Sequence, residues 1–129
     1  MNSPRVRVLI VEDEEDAYFV TREMLARNAR MKFEIVWAAS YDAGLDWLRA
    51  NGFDVALVDY RLDGRNGIDL IKAARNAGCT TPIIMLTGMA DPALDEAALA
   101  AGATRSRYSA WQCSGRRAVM GWPRIFSSR

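Results

Sequence analysis

Histidine is absent from this 129-residue sequence, and cysteine occurs only twice, as Cys79 and Cys113. The lack of histidine excludes His-based catalytic triads, histidine-ligated metal sites and a role as a phosphohistidine donor. Two cysteines without a motif are too few for a disulfide framework, so we expect a protein of the reducing cytoplasm. No apolar run is long enough to span a bilayer, so we expect no membrane association.

Acidic residues are missing from the last part of the chain, although the net charge of the whole is only +1. Residues 1–104 hold all 16 acidic side chains against 11 basic ones, a balance of −5. Residues 105–129 hold six arginines and no acid, a balance of +6. We therefore predict a folded domain at residues 5–104, followed by an Arg-rich tail at residues 105–129 of a different composition.

What the first part contains is a regular alternation of strand and helix patterns. Predicted strands cover residues 5–11, 32–38, 55–59 and 82–86, and predicted helices cover about 16–30, 41–51, 68–77 and 92–101. Ser40 is a typical N-cap, and Asp91 before Pro92 is a strong helix start. The order βαβαβαβα predicts an α/β fold, a doubly wound parallel sheet with right-handed crossovers. One more strand and helix would complete five βα units.

Two helices have apolar residues at helical spacing, which indicates the faces that cover the sheet. For the first helix the residues along one face are Ala17, Val20, Met24, Leu25 and the polar Asn28, and for the second the apolar residues are Ala43, Leu45, Trp47 and Leu48.

The stretch from Val55 to Asp59 is the most informative in the sequence. Four consecutive apolar residues predict a strand that is covered on both faces, and Asp59 ends it. In open α/β sheets, ligands bind at the carboxyl ends of the strands. Glu12 and Asp13 end the first strand, and Thr87 ends the fourth. We therefore expect these four residues to converge at one edge of the sheet.

Several carboxylates in one place are costly unless a cation neutralises them, and Mg²⁺ prefers such oxygen ligands. Asp59 could then ligate Mg²⁺ and attack a phosphorus atom, while the Thr87 hydroxyl donates to a phosphoryl oxygen. Each residue alone has a structural explanation, because Asp59 could be a turn or capping residue and Glu12–Asp13 a helix start. Their arrangement at successive strand ends favours the chemical interpretation.

Three segments resemble the receiver domain of two-component response regulators: residues 8–13 (VLIVED), residues 59–64 (DYRLDG) with Gly67, and residues 82–88 (PIIMLTG). The resemblance covers about residues 5–104. It implies a flavodoxin-like fold with strand order 2-1-3-4-5. It also implies a signalling domain that accepts a phosphoryl group from a sensor histidine kinase or a phosphotransfer protein, rather than an enzyme with an external substrate.

The resemblance further implies a role for each site residue. Asp13 and Asp59 would ligate Mg²⁺, Glu12 would support the ion through water, and the Arg61 carbonyl would be a third protein ligand. Asp59 would be the phosphoacceptor, and Thr87 would shift toward the phosphoryl oxygen.

The tail departs from the family pattern after Thr104. The family has a final strand ending in a lysine that is preceded by an aromatic residue, and these positions fall on Ser109 and Ser106. The abrupt change of composition favours a shifted reading frame or a foreign ending over a divergent native one. We expect switching to be weaker without the lysine, unless Arg105 or Arg107 replaces it.

Other functions compete with phosphorylation. A receiver-shaped docking module could bind a partner, or a second copy as a homodimer, by pairing the uncovered edge of the fourth strand. The tail could bind nucleic acid, with Trp111 and Trp122 stacking on bases, but we disfavour this. A hydrolase with an aspartate nucleophile usually needs a second acid two residues later, where this chain has Arg61.

Overall fold

Four parallel strands form the centre of the fold in a computed structural model of the chain. The structure describes residues 5–27, 32–87 and 92–104, together with the backbone of residues 111–113 and 116–118. The strands are β1 (Arg5–Val11), β2 (Lys32–Ala38), β3 (Val55–Asp59), β4 (Ile83–Thr87), β5 (Trp111–Cys113) and β6 (Arg116–Ala118). The helices are α1 (Glu15–Ala26), α2 (Tyr41–Ala50), α3 (Gly67–Asn76) and α4 (Pro92–Ala101). A short hairpin pairs Arg61–Leu62 with Arg65–Asn66.

The strand order confirms the predicted α/β, doubly wound, flavodoxin-like architecture. The sheet runs β2-β1-β3-β4-β6-β5, and β1 to β4 pair in parallel. Val11 pairs with Val58 across β1 and β3, and Asp59 pairs with Leu86 across β3 and β4. The carboxyl ends of these three strands therefore lie side by side.

The position beside β4 differs from the parallel fifth strand of the family pattern. There β6 pairs antiparallel with β4, placing Leu86 opposite Ala118 and Thr87 opposite Arg117. Strand β5 pairs antiparallel with β6. The prediction that the edge of β4 is uncovered is thus wrong at Leu86 and Thr87, because the unpaired backbone groups of an edge strand find a partner in this chain.

The core explains why the central strands are nearly continuous apolar runs. All five residues of β3 and all five of β4 are buried, since strands lie on both sides of each and helices cover the sheet. The edge strand β2 alternates instead, with Lys32 and Glu34 exposed and Phe33 and Ile35 half-buried. The burial of β3 confirms the prediction of a strand that is covered on both faces.

Helix boundaries follow local signals. Ser40 caps α2 as predicted, and its Oγ accepts a hydrogen bond from the Ala43 N–H at 3.1 Å. Asn66 caps α3 in the same way, with its Oδ1 2.9 Å from the Asp69 nitrogen, a cap that the sequence analysis missed. The predicted cap Asp91 lies outside the described residues. Helix α1 ends at Ala26, with Arg27 as its C-cap, so the predicted end at about Arg30 is wrong.

The predicted helix faces are partly wrong. In α1, Tyr18 and Thr21 are buried alongside the predicted Ala17 and Leu25. In α2, Trp47 is 41% exposed, whereas Tyr41 and Gly44 are buried with Leu48. Position 44 of α2 lies so close to Val11 of β1 that only a small residue fits there, so hydrophobicity alone does not select the inward residues.

Among the described helices, none is long and apolar enough to cross a membrane.

Candidate functional site

Three acidic side chains meet at the carboxyl ends of β1 and β3. Since Val11 is opposite Val58, the residues that follow, Glu12 and Asp59, are neighbours at the sheet edge. One carboxylate oxygen from each of Glu12, Asp13 and Asp59 lies within 4.8 Å of the others. The structure thus brings together the three acids that the sequence analysis singled out.

This cluster has the donor chemistry of a hard divalent cation. Glu12 is 2% exposed and Asp59 is 7% exposed, so water screens their charges poorly. Asp13 is half-buried and leaves one side of the cluster in contact with solvent. Mutual repulsion of three carboxylates at this range is relieved by a cation that takes oxygen ligands and keeps several waters, and Mg²⁺ fits that description.

The backbone of Glu12 is held by strand β2. Its N–H donates to the Ala38 carbonyl at 3.0 Å, and its carbonyl accepts from the Trp37 indole Nε1–H at 2.7 Å. The Glu12 side chain also accepts a hydrogen bond at Oε2 from the Glu14 N–H, at 3.3 Å. The turn from β1 to α1 therefore has a defined conformation at the point where it supplies two of the three acids.

Backbone hydrogen bonds also fix the segment that follows Asp59. The Tyr60 N–H donates to the Leu86 carbonyl at 2.8 Å, and the Gly67 N–H donates to the Tyr60 carbonyl at 2.7 Å. A Cβ atom at Gly67 would lie 2.5 Å from the Asp59 carbonyl oxygen, so only glycine fits there. Arg61 begins the hairpin between these contacts, and the role of its carbonyl as a metal ligand stays a prediction.

Thr87 ends β4 and is 5% exposed. Because Asp59 pairs with Leu86, Thr87 lies one residue beyond the level of Asp59 on the adjacent strand. This position is at the same edge of the sheet as the acids. Its proposed movement toward a phosphoryl oxygen stays a prediction.

Two residues near the site were missed by the sequence analysis. The Trp37 indole contacts the Glu12 carbonyl, but the sequence analysis did not single out Trp37. The Arg65 guanidinium lies 3.5 Å from the Tyr41 ring centroid and 3.3 Å from Asp42 Oδ1, which links the hairpin to α2. Neither contact could be predicted from a local sequence pattern, because the residues that each contact joins are distant in sequence.

Comparisons with known proteins agree with this geometry. The family model described as the response regulator receiver domain matches residues 8–106. The transcriptional regulatory protein DltR of Streptococcus agalactiae is 34% identical over 82 residues, which are 64% of this chain and 35% of DltR. The chain thus spans about a third of the length of that relative.

Solved structures are similar as well. The chemotaxis protein CheY4 of Vibrio cholerae matches with a TM-score of 0.66 and 27% identity, covering 78% of this chain and 82% of CheY4. A response regulator of Burkholderia pseudomallei, solved with a phosphorylated aspartic acid, a calcium ion and citrate, matches with a TM-score of 0.62 and 26% identity. That match covers 76% of this chain and 56% of the other.

Proposed function

The chain belongs to the response regulator receiver domain family, and from that premise we propose that it accepts a phosphoryl group on Asp59 from a sensor histidine kinase or a histidine-containing phosphotransfer protein. Receiver domains are signalling domains rather than enzymes with an external substrate. The observation that supports the proposal most is the meeting of Glu12, Asp13 and Asp59 within 4.8 Å.

The transfer is a substitution at phosphorus. A carboxylate oxygen of Asp59 forms the new O–P bond while the P–N bond to the donor histidine breaks, and the imidazole leaves with that electron pair and takes up a proton. Burial of Asp59 would limit competing water, and the backbone hydrogen bonds of Tyr60 and Gly67, which fix the segment that follows it, support a defined orientation for attack. The Thr87 hydroxyl would donate to a phosphoryl oxygen, and its position one residue beyond the level of Asp59 on the adjacent strand supports this role.

Mg²⁺ is the proposed cofactor. Asp13, Asp59 and the Arg61 carbonyl would hold it, with Glu12 acting through water. When bound, it would supply positive charge that offsets the carboxylates and the phosphoryl oxygens.

Switching after phosphorylation is proposed to be weak. The chain has only two lysines, and Lys32 begins β2 while Lys72 lies within α3, so neither is at the carboxyl end of a strand. An ammonium that pairs with phosphoryl oxygens would otherwise couple the new charge to Thr87. Arg105 and Arg107, the candidate substitutes, lie outside the described residues. Docking without phosphorylation stays the alternative.

Mass spectrometry of the intact chain tests the proposal. Incubation with Mg²⁺ and acetyl phosphate should add the mass of one phosphoryl group, and EDTA should prevent the addition. Asp59→Asn should abolish labelling. Asp63→Asn is the matched control, because Asp63 is an exposed acid of the adjacent hairpin whose φ of 45° asparagine tolerates. Labelling that survives in Asp59→Asn, or that never occurs in the native chain, would contradict the proposal.

A further inference from the structure

The indole of Trp37 contacts the peptide bond that joins Glu12 and Asp13, two of the three acids of the cluster. Its Nε1–H donates to the Glu12 carbonyl at 2.7 Å, at the short end of the range for such bonds. That carbonyl belongs to the peptide group between Glu12 and Asp13. The hydrogen bond therefore restrains the peptide plane that contains the Cα atoms of Glu12 and Asp13, from which both carboxylate side chains project.

The Trp37 ring is itself fixed by stacking on α1. It lies 4.3 Å from the Tyr18 ring centroid with an interplanar angle of 6°, and Tyr18 is buried. The Tyr18 N–H donates to the Glu14 carbonyl at 3.0 Å in the first turn of α1. The turn that carries Glu12 and Asp13 is thus bounded by one aromatic pair, with Trp37 on the β2 side and Tyr18 on the α1 side.

The contact also has an electrostatic consequence. A peptide carbonyl carries partial negative charge, and this one stands in the chain between two carboxylates. The indole dipole offsets part of that charge without adding a full positive charge that would compete with a cation. Trp37 therefore orders the turn while the negative field that attracts a divalent ion is kept.

From these contacts we infer that Trp37 is a positioning residue of the acidic cluster, whose indole N–H sets the affinity of Glu12, Asp13 and Asp59 for a divalent cation. The inference rests on the proposed function, because it takes the cluster to be a metal site. Trp37 acts through the peptide group between Glu12 and Asp13, so it is a positioning residue rather than a metal ligand. It belongs to no motif that the sequence resemblance supplies.

Trp37→Phe separates the hydrogen bond from the ring. Phenylalanine keeps an aromatic ring for Tyr18 and removes the N–H donor. Mn²⁺ binding, measured as loss of the free-ion electron paramagnetic resonance signal and competed with Mg²⁺, should weaken about threefold to tenfold, the effect of losing one net hydrogen bond. Trp47→Phe is the matched control, because Trp47 is 41% exposed on α2 and contacts Phe53 edge-on. Its Mn²⁺ affinity should equal that of the native chain.

The native chain supplies a second readout that holds even if Trp37→Phe fails to fold. In assigned ¹H–¹⁵N spectra, the Trp37 indole resonance should shift together with the Asp13 amide as Mg²⁺ is added, and its proton should exchange more slowly. An indole resonance that stays fixed while the Asp13 amide shifts would overturn the positioning role. So would native Mn²⁺ affinity in a folded Trp37→Phe. A native chain that binds neither ion would overturn the proposed metal site itself.

Discussion

At the scale of single residues, the site depends on a few positions where chemistry and space leave little choice. Asp59 ends a buried strand, and Gly67 passes so close to it that a Cβ atom would meet the Asp59 carbonyl oxygen. The acids could be predicted from sequence, because they lie at the ends of apolar runs that are recognisable as strands. The contact of Gly67 with Asp59 could not, because it depends on how the hairpin folds back between them.

Gly67→Ala is expected to destabilise the chain even though alanine favours helices. The added Cβ would lie 2.5 Å from the Asp59 carbonyl oxygen, a backbone atom that cannot move aside without shifting the end of β3. We expect the free energy of unfolding in urea to fall by about 1–3 kcal/mol, as for other overpacked sites. Phosphorylation of Asp59 should fall as well.

Gly64→Ala is the comparison for that variant. Gly64 has a φ of 83° and no atom within 4 Å of an added Cβ, so its cost is backbone strain alone, about 1 kcal/mol. A Gly67→Ala chain as stable as the native one would show that the hairpin yields and that the close approach is unimportant.

At the scale of elements, a glycine lets one helix pack closely on the sheet, and an arginine links another helix to neighbouring segments. An added Cβ at Gly44 of α2 would lie 2.7 Å from Val11 Cγ1 and 2.9 Å from Val11 Cγ2, so α2 packs directly on the end of β1. Arg75 joins three segments, since its guanidinium donates to the carbonyls of Cys79, Thr81 and Gly102 at 2.7–3.0 Å.

The packing of α2 on β1 predicts strong coupling between Gly44 and Val11. Gly44→Ala should destabilise by about 1–3 kcal/mol through overpacking, and Val11→Ala should destabilise by a similar amount through lost burial. In the double variant the alanine methyl occupies the space that valine vacates. In a double-mutant cycle measured by urea unfolding, the double variant should therefore be destabilised by less than the sum of the two single-variant values, with a difference of about 1 kcal/mol or more. Additive costs would mean that the helix shifts to absorb each change separately.

Arg75→Lys should lower the free energy of unfolding by about 2–3 kcal/mol, because an ammonium cannot reach all three carbonyls that the planar guanidinium serves. Arg49→Lys, an exposed change in the last turn of α2, should alter it by less than about 0.5 kcal/mol. Equal effects of the two substitutions in chemical denaturation would remove the argument that Arg75 ties α3 to the segments around β4.

At the scale of the whole molecule, stability and metal binding should be linked. Three carboxylates within 4.8 Å repel one another in the absence of a cation, so the site is held together at the expense of folding free energy. The fold tolerates the cluster because hydrogen bonds with β2, with Leu86 of β4 and with Gly67 fix the backbone beneath it.

Mg²⁺ should therefore raise the unfolding free energy of the native chain, by about 2.7 kcal/mol at a hundred times the dissociation constant. Asp59→Asn should lose that response and, in EDTA, should be more stable than the native chain by on the order of 1 kcal/mol, because one charge of the cluster is gone. Thermal unfolding with and without Mg²⁺ measures both effects, and Asp63→Asn should keep the native response. An Asp59→Asn chain destabilised in EDTA would show that repulsion in the cluster is negligible.

How far the sequence predicted this molecule depends on how local each signal is. The four parallel strands follow from runs such as Val55–Val58, and the site acids follow from what comes directly after those runs. The inward faces of α1 and α2 were less well predicted, since Tyr18 is buried and Trp47 exposed against their hydrophobic pattern. The Trp37 contact and the antiparallel partner of β4 depend on residues far apart in the chain, which no periodicity encodes.

The burial of β3 between β1 and β4 has a consequence for how the domain responds to modification. Amide protons of Leu57 and Val58, enclosed on every side, should exchange with deuterium only through global opening of the chain. Asp59 follows these residues directly on β3, so its backbone shares their restricted motion. If Asp59 takes up a phosphoryl group as proposed, the new charge would have to be accommodated by the neighbouring turns and by Thr87, and Asp59 would serve as a fixed point around which the rest of the surface adjusts.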